Sequence, residues 1–195
     1  MSYLKKFNFN PWGANVGDCA IRAIVAAIGM DYRKVCRRLG FSWKNGRGLI
    51  RDSGTDLNRV KEVFDEYFDI VEDFEDAYDV TDDLVNDRDF DTSLFLSDEN
   101  FGVTGITLEE FIDLYKGQGL FLVGLQANPD ARNQAARDGG HIVAVNCQPG
   151  TKPYFIDSWD SSEMLVDSYM RVKKRLPAND PDHWVYDKQA KKFVL

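Results

Sequence analysis

The hydrophobic pattern changes its period between Gly117 and Leu120, and this change limits the folds that the chain can adopt. Apolar residues recur at helical spacing in four earlier segments: 19–28, 32–39, 57–67 and 107–116. Short apolar runs typical of strands follow at 120–125, 141–146 and 154–159, with a closing hairpin at 184–186 and 193–195. Helices followed by strands predict an α+β fold, with a helical N-terminal part packed on a C-terminal antiparallel β-sheet.

The segment 19–28 is the most apolar of the predicted helices. Isoleucine, valine and alanine side chains fall nearly all round it, which indicates a buried helix. Asp18 stands at the expected N-cap position and Gly29 at the expected stop. The pattern therefore makes Cys19 the first residue of this helix.

The charge of the chain is distributed unevenly. The net charge is -8, but residues 1–64 carry +7, residues 65–100 carry -14 and residues 101–195 carry -1. Nucleic-acid binding through phosphates needs basic patches, so an acidic chain of this kind predicts no nucleic-acid partner. We interpret residues 1–195 as one domain with an acidic insert at about 69–100. A basic protein is a candidate partner of that insert, and a solvated insert without a partner is the alternative.

Cysteine usage indicates a reducing compartment. Three cysteines, Cys19, Cys36 and Cys147, give no disulfide framework. There is no signal-peptide pattern and no apolar run of about 18 residues, so we expect a cytoplasmic protein without a membrane partner. Neither Cys-x-x-Cys nor His-x3-His spacing occurs, and we expect no metal and no cofactor.

Cys19 is the candidate nucleophile. The positive end of a helix dipole lowers the pKa of a thiol, and free N–H groups at a helix start can bind an oxyanion. The competing interpretation is a small thiol packed in the core. Cys36 and Cys147 fit that second interpretation better, because one lies within a basic helix and the other ends a strand.

His141 and Asp157 are the candidate partners of the thiol. His141 opens an apolar strand after two glycines, and Asp157 lies in the next apolar strand, where a carboxylate needs a partner. A Cys–His–Asp arrangement would use the imidazole as general base and acid, oriented by the carboxylate. The alternatives remain a histidine bonded to a neighbouring loop and an aspartate that caps a turn together with Asp160.

Three short motifs carry a resemblance to a known superfamily: Gly17-Asp18-Cys19, Gly140-His141 and Asp157-Ser158-Trp159. They resemble the papain-like cysteine peptidases, most closely the small papain-like proteins of bacteriophages and related mobile elements. The resemblance implies a catalytic Cys–His–Asp triad, a substrate cleft that includes Gly140 and Trp159, and the host cytoplasm as location if the protein is phage-encoded.

The sequence departs from the superfamily at the oxyanion position. Members usually have Gln six residues before the cysteine, whereas Gly13 stands there in this chain. Asn15 is the nearest substitute, with Asn8 and Asn10 as weaker ones. Three functions therefore stay open: a peptidase, isopeptidase or amidase acting on a peptide or protein substrate; a non-catalytic binding or host-factor-inhibiting protein with an acidic surface; and an acyl- or amide-transferring enzyme with the same triad.

Overall fold

The structure describes most of the chain, in five separate ranges. In the computed structural model, residues 3–13, 17–41, 55–73, 106–187 and 192–194 are described. Asn15 and most of the acidic insert therefore lie outside the described residues. The order of helices and strands within the described ranges makes the protein α+β, as the hydrophobic pattern predicted.

Four α-helices lie at the predicted places. They are α1 (Cys19–Ile28), α2 (Tyr32–Arg38), α3 (Leu57–Val63) and α4 (Leu108–Leu114). Side chains of Asp31, Asp56 and Thr107 cap α2, α3 and α4 by accepting hydrogen bonds from first-turn N–H groups. Thr107 and Glu110 form a capping box.

The strands form one large sheet and one small hairpin. The sheet contains β1 (Leu4–Lys6), β2 (Glu72–Asp73), β3 (Gly119–Gln126), β4 (His141–Cys147), β5 (Tyr154–Asp157) and β6 (Leu165–Arg171). Its strand order is β1-β5-β4-β3-β6-β2. The hairpin pairs β7 (Val185–Asp187) with β8 (Lys192–Val194), close to the predicted positions.

The strands β3 to β6 pair antiparallel, as predicted for the C-terminal part, but β1 pairs in parallel with β5 and makes the sheet mixed. β1 comes from the N-terminal stretch, for which no strand was predicted. β6 was also missed. Both strands have polar or charged residues at positions where a buried strand would be apolar, so their patterns did not reveal pairing.

The two faces of the sheet bury different hydrophobic clusters. On one face, Leu122, Ile142 and Ala144 pack with α1, α2 and α3. On the other, the alternate strand residues Val143 and Val145 pack with α4. Because both faces are covered, β4 is buried along its whole length and reads as a nearly continuous apolar run.

The far end of α1 is fixed by a glycine and a histidine. Gly29 has a φ of 82°, and a Cβ at this position would lie 2.8 Å from ring atoms of His183. The backbone of His183 bridges to Met30, and its ring covers the helix end. None of the helices in the described ranges is both long enough and apolar enough to cross a membrane.

Candidate active site

The fold brings the start of α1, the start of β4 and the end of β5 together at one end of the strands of the sheet. Cys19 is the first residue of α1, His141 is the first residue of β4 and Asp157 is the last residue of β5. β4 and β5 are antiparallel neighbours, so the start of one lies beside the end of the other. Because α1 packs on β4, the three candidate residues meet although the sequence separates them widely.

His141 and Asp157 form a buried hydrogen-bonded pair. The imidazole Nε2 lies 2.6 Å from Oδ2 of Asp157, and the residues are 8% and 4% exposed. A carboxylate only accepts hydrogen bonds, so Nε2 carries a hydrogen. Burial lowers the pKa of His141, but hydrogen bonds and charge interactions with Asp157 and Cys19 raise it more, to about 9. The imidazolium form is therefore favoured at neutral pH.

Cys19 interacts with the other side of the imidazole. Burial raises the pKa of the half-buried Cys19 thiol, but the hydrogen bond and charge interaction with His141 outweigh it. The backbone N–H of Ile142 and the charge of Arg22 act in the same direction, so the pKa lies below its ordinary value. Since Nε2 is bound to Asp157, Nδ1 is the ring nitrogen that remains for the sulfur.

The Asp157 carboxylate is held by several donors. Oδ2 also accepts from the Ser161 hydroxyl at 2.9 Å, and Oδ1 accepts from the Ser158 backbone N–H at 2.6 Å. Asp160 accepts from the Ser162 backbone N–H. Asp157 thus combines both interpretations of its sequence position: it binds the histidine and it also stabilises the turn after β5.

Asp18 stands at the N-cap position of α1 but does not cap the helix. Its side chain makes no capping hydrogen bond. The fully buried carboxylate instead accepts hydrogen bonds from Asn10 Nδ2 at 2.7 Å, Tyr32 OH at 2.7 Å and Arg22 Nε at 2.9 Å. This cluster was not predicted from the sequence. A signal was present, because an arginine in an otherwise apolar helix needs a buried anionic partner.

Of the three asparagines that the sequence suggested as oxyanion donors, the structure describes Asn8 and Asn10. Asn10 Nδ2 binds Asp18 and, at 3.3 Å, Tyr32, so Asn10 is committed to that cluster. Asn8 Oδ1 accepts from the Asn10 backbone N–H. Asn15, the first choice from the sequence, lies outside the described residues. The Cys19 backbone N–H at the helix start is the remaining donor that the sequence suggested.

Trp159 lies against the candidate base, and Gly140 borders it. The Trp159 ring centroid is 4.9 Å from that of His141, and the indole is half-buried. Gly140 is exposed, and a Cβ at this position would make only an ordinary contact with the Leu125 carbonyl at 3.7 Å. Gly139, with a φ of 71°, is the glycine of this pair that the backbone requires.

The other two thiols differ from Cys19 in burial. Cys36 and Cys147 are fully buried, and burial raises the pKa of Cys147 to about 11, with a smaller contribution from the charge of Asp113. Within the described ranges, no cluster of three or more His, Cys, Asp or Glu side chains is arranged to hold a metal ion. Cys19 is therefore the thiol with the chemical environment of a nucleophile.

Comparison of the chain with models of protein families, with curated proteins and with solved structures found no match. Function is therefore inferred from the geometry and electrostatics of the residues described above.

Proposed function

We propose that the protein is a cysteine hydrolase that cleaves a peptide, isopeptide or other amide bond, on a papain-like scaffold. The observation that carries the proposal is the buried His141–Asp157 pair at the start of the Cys19 helix. A buried imidazole with a raised pKa beside a thiol with a lowered pKa is the combination that a thiolate nucleophile needs.

The reaction follows from the positions of the protons. The Cys19 thiolate attacks the acyl carbon and forms a C–S bond, and the carbonyl oxygen becomes an oxyanion. The His141 imidazolium donates its Nδ1 proton to the leaving nitrogen as the C–N bond breaks, which leaves a thioester. The neutral imidazole then takes a proton from water, and the resulting hydroxide attacks the thioester and releases a carboxylic acid and the thiolate.

The papain-like part of the proposal is supported by the order and placement of the elements. The cysteine begins an N-terminal helix, and the histidine and aspartate lie on neighbouring strands of a sheet that packs on this helix. The proposal includes a cytoplasmic location, because a free thiol nucleophile is maintained in a reducing compartment.

Alkylation of Cys19 tests the proposal without knowledge of the substrate. The wild-type protein is treated with iodoacetamide between pH 5 and 10, and the rate at Cys19 is followed by peptide mass spectrometry. We expect alkylation at pH 6 to exceed that of glutathione at the same pH by on the order of tenfold or more. Because Cys36 and Cys147 are buried, the matched control is Cys19 itself in His141→Gln, where the low-pH reactivity should disappear.

A second measurement separates the three open functions. A peptide acyloxymethyl ketone should label wild-type Cys19, and hydrolysis of a casein or peptide-library substrate should disappear in Cys19→Ala. Labelling without hydrolysis, but with transfer to added amines, would favour the acyl-transferring alternative. A wild-type alkylation profile equal to that of glutathione would contradict the hydrolase proposal and would favour the alternative of a binding protein.

A further inference from the structure

Arg22 lies one turn after Cys19 on the same helix and contacts two separate parts of the site. Its Nε donates to Oδ1 of Asp18 at 2.9 Å, and its Nη1 donates to Oγ of Ser158 at 2.7 Å. Nη1 also lies 3.7 Å from Oδ1 of Asp157. Arg22 is only 8% exposed, so these are buried charge interactions and not surface ion pairs.

The Asp18 end of this bridge is fixed by the rest of the protein. Besides Arg22, the carboxylate accepts from Asn10 before the helix and from Tyr32 on α2. Asp18 itself directly precedes Cys19. The guanidinium is therefore held on one side by Asp18, the residue directly before the helix.

The other end of the bridge reaches the end of β5, the strand that carries Asp157. Ser158 follows Asp157, and its own backbone N–H binds Asp157 Oδ1. The guanidinium therefore holds the end of β5 at two points, the Ser158 hydroxyl and the Asp157 carboxylate. Through Asp157, the same contacts reach His141.

We propose that Arg22 is a positioning residue, which ties the end of β5 that carries Asp157 to the start of the helix that carries Cys19. This role rests on the proposed function. The guanidinium also separates two buried carboxylates, Asp18 and Asp157, which would otherwise repel each other and the thiolate. The planar guanidinium can bind Asp18 and Ser158 at the same time, whereas a lysine ammonium is a compact charge that can bind only one of them.

The test is the pH profile of Cys19 alkylation in Arg22→Gln and Arg22→Lys. The charges that act on the Cys19 thiol are those of His141 and Arg22. Asp157 binds His141 and Asp18 binds Arg22, and all of these groups except Arg22 stay unchanged in the variants. We expect Arg22→Gln to shift the profile upward, so that alkylation at pH 6 falls on the order of tenfold while the rate at pH 10 stays within about twofold. Arg22→Lys should fall between this variant and the wild type, because it keeps the charge and loses one side of the bridge.

The matched control is Arg38→Gln. Arg38 pairs with Glu66 and contacts Phe64 away from the site, so its loss perturbs folding without touching the bridge. Its alkylation profile should match that of the wild type. If Arg22→Gln does not fold, Ser158→Ala removes the serine hydroxyl alone, and it should shift the profile in the same direction by a smaller amount.

The outcomes distinguish this role from the proposed function. If the wild type reacts at low pH and folded Arg22→Gln reacts equally well, the positioning role is overturned and the hydrolase proposal stands. The same conclusion follows if both Arg22→Lys and Ser158→Ala keep the full low-pH reactivity. A wild-type profile without low-pH reactivity would overturn the hydrolase and this role together. A profile shift in the Arg22 variants that Arg38→Gln does not share supports the role.

Discussion

The imidazole Nε2 of His141 lies 2.6 Å from Oδ2 of Asp157, although the two residues are 16 positions apart and begin and end different strands. The antiparallel pairing of β4 with β5 places them at the same edge, and burial makes their interaction strong because water does not screen it. Nε2 is therefore bound to Asp157, and the imidazole can interact with Cys19 only through Nδ1.

Asp157→Asn should raise the pKa of the Cys19 thiol. The amide cannot stabilise the imidazolium by charge, so the pKa of His141 falls and the thiolate loses its counter-charge. Alkylation of Cys19 by iodoacetamide at pH 6 should drop on the order of tenfold relative to the wild type. The measurement is the full pH profile from 5 to 10 by peptide mass spectrometry.

The matched control for Asp157→Asn is Asp160→Asn, three residues along the same turn. Asp160 is exposed and its carboxylate accepts from the Ser162 backbone N–H, so the profile of the variant should equal that of the wild type. An Asp157→Asn profile that also equals the wild type would show that the carboxylate does not support the thiolate.

Stability should depend on pH through His141 in a Cys19→Ala background, where the coupled thiol is absent. In this background Asp157 raises the pKa of His141 by hydrogen bond and charge, so the contribution of His141 is fully present below about pH 6.5 and is lost as pH rises above that value. The free energy of unfolding should fall by on the order of 1 kcal/mol across this window.

Urea denaturation at intervals between pH 6 and 9 measures this dependence. The control is Cys19→Ala combined with His141→Gln, which keeps the other titratable groups and removes His141 alone. The difference between the two curves isolates His141. A difference that is constant with pH would contradict the raised pKa.

The helices were predictable from sequence because each combines a periodic apolar face with a local end signal. Thr107 and Glu110 illustrate this, since the capping box that they form is readable within four residues. The end of α1 at Gly29 follows from the same local logic. These predictions depend on neighbours in the chain, which is why one sequence is enough to make them.

The Arg22 bridge was not predictable in the same way. Its partner Ser158 is 136 residues distant, and the pairing exists only once α1 has packed on the sheet. Asp18 shows the limit of local reasoning, because it occupies the N-cap position but turns its carboxylate toward Tyr32 and Arg22. Buried charge pairs are tertiary interactions, so sequence patterns indicate that a partner is needed and not which residue it is.

Gly29→Ala should destabilise the protein at the far end of α1. The left-handed backbone at this position disfavours a Cβ by about 1–2 kcal/mol, and the added methyl would also meet the His183 ring. The measurement is the free energy of unfolding in a double-mutant cycle with His183→Ala. Gly29→Ala should cost less in the His183→Ala background, because the steric part disappears while the backbone part remains. Equal costs in both backgrounds would contradict the contact between these residues.

Tyr32→Phe should destabilise the protein by removing one donor from a buried carboxylate. Tyr32 OH donates to Asp18 at 2.7 Å, and burial together with the Asp18 charge raises the pKa of the phenol. A hydrogen bond to a charged buried group contributes about 1.5–3 kcal/mol, so urea denaturation should show a loss of that order. Tyr115→Phe is the matched control, because Tyr115 OH donates to the neutral hydroxyl of Tyr169 and the expected loss is about 1 kcal/mol. Equal losses in the two variants would contradict the view that the Asp18 carboxylate depends on Tyr32 as a charge-assisted donor.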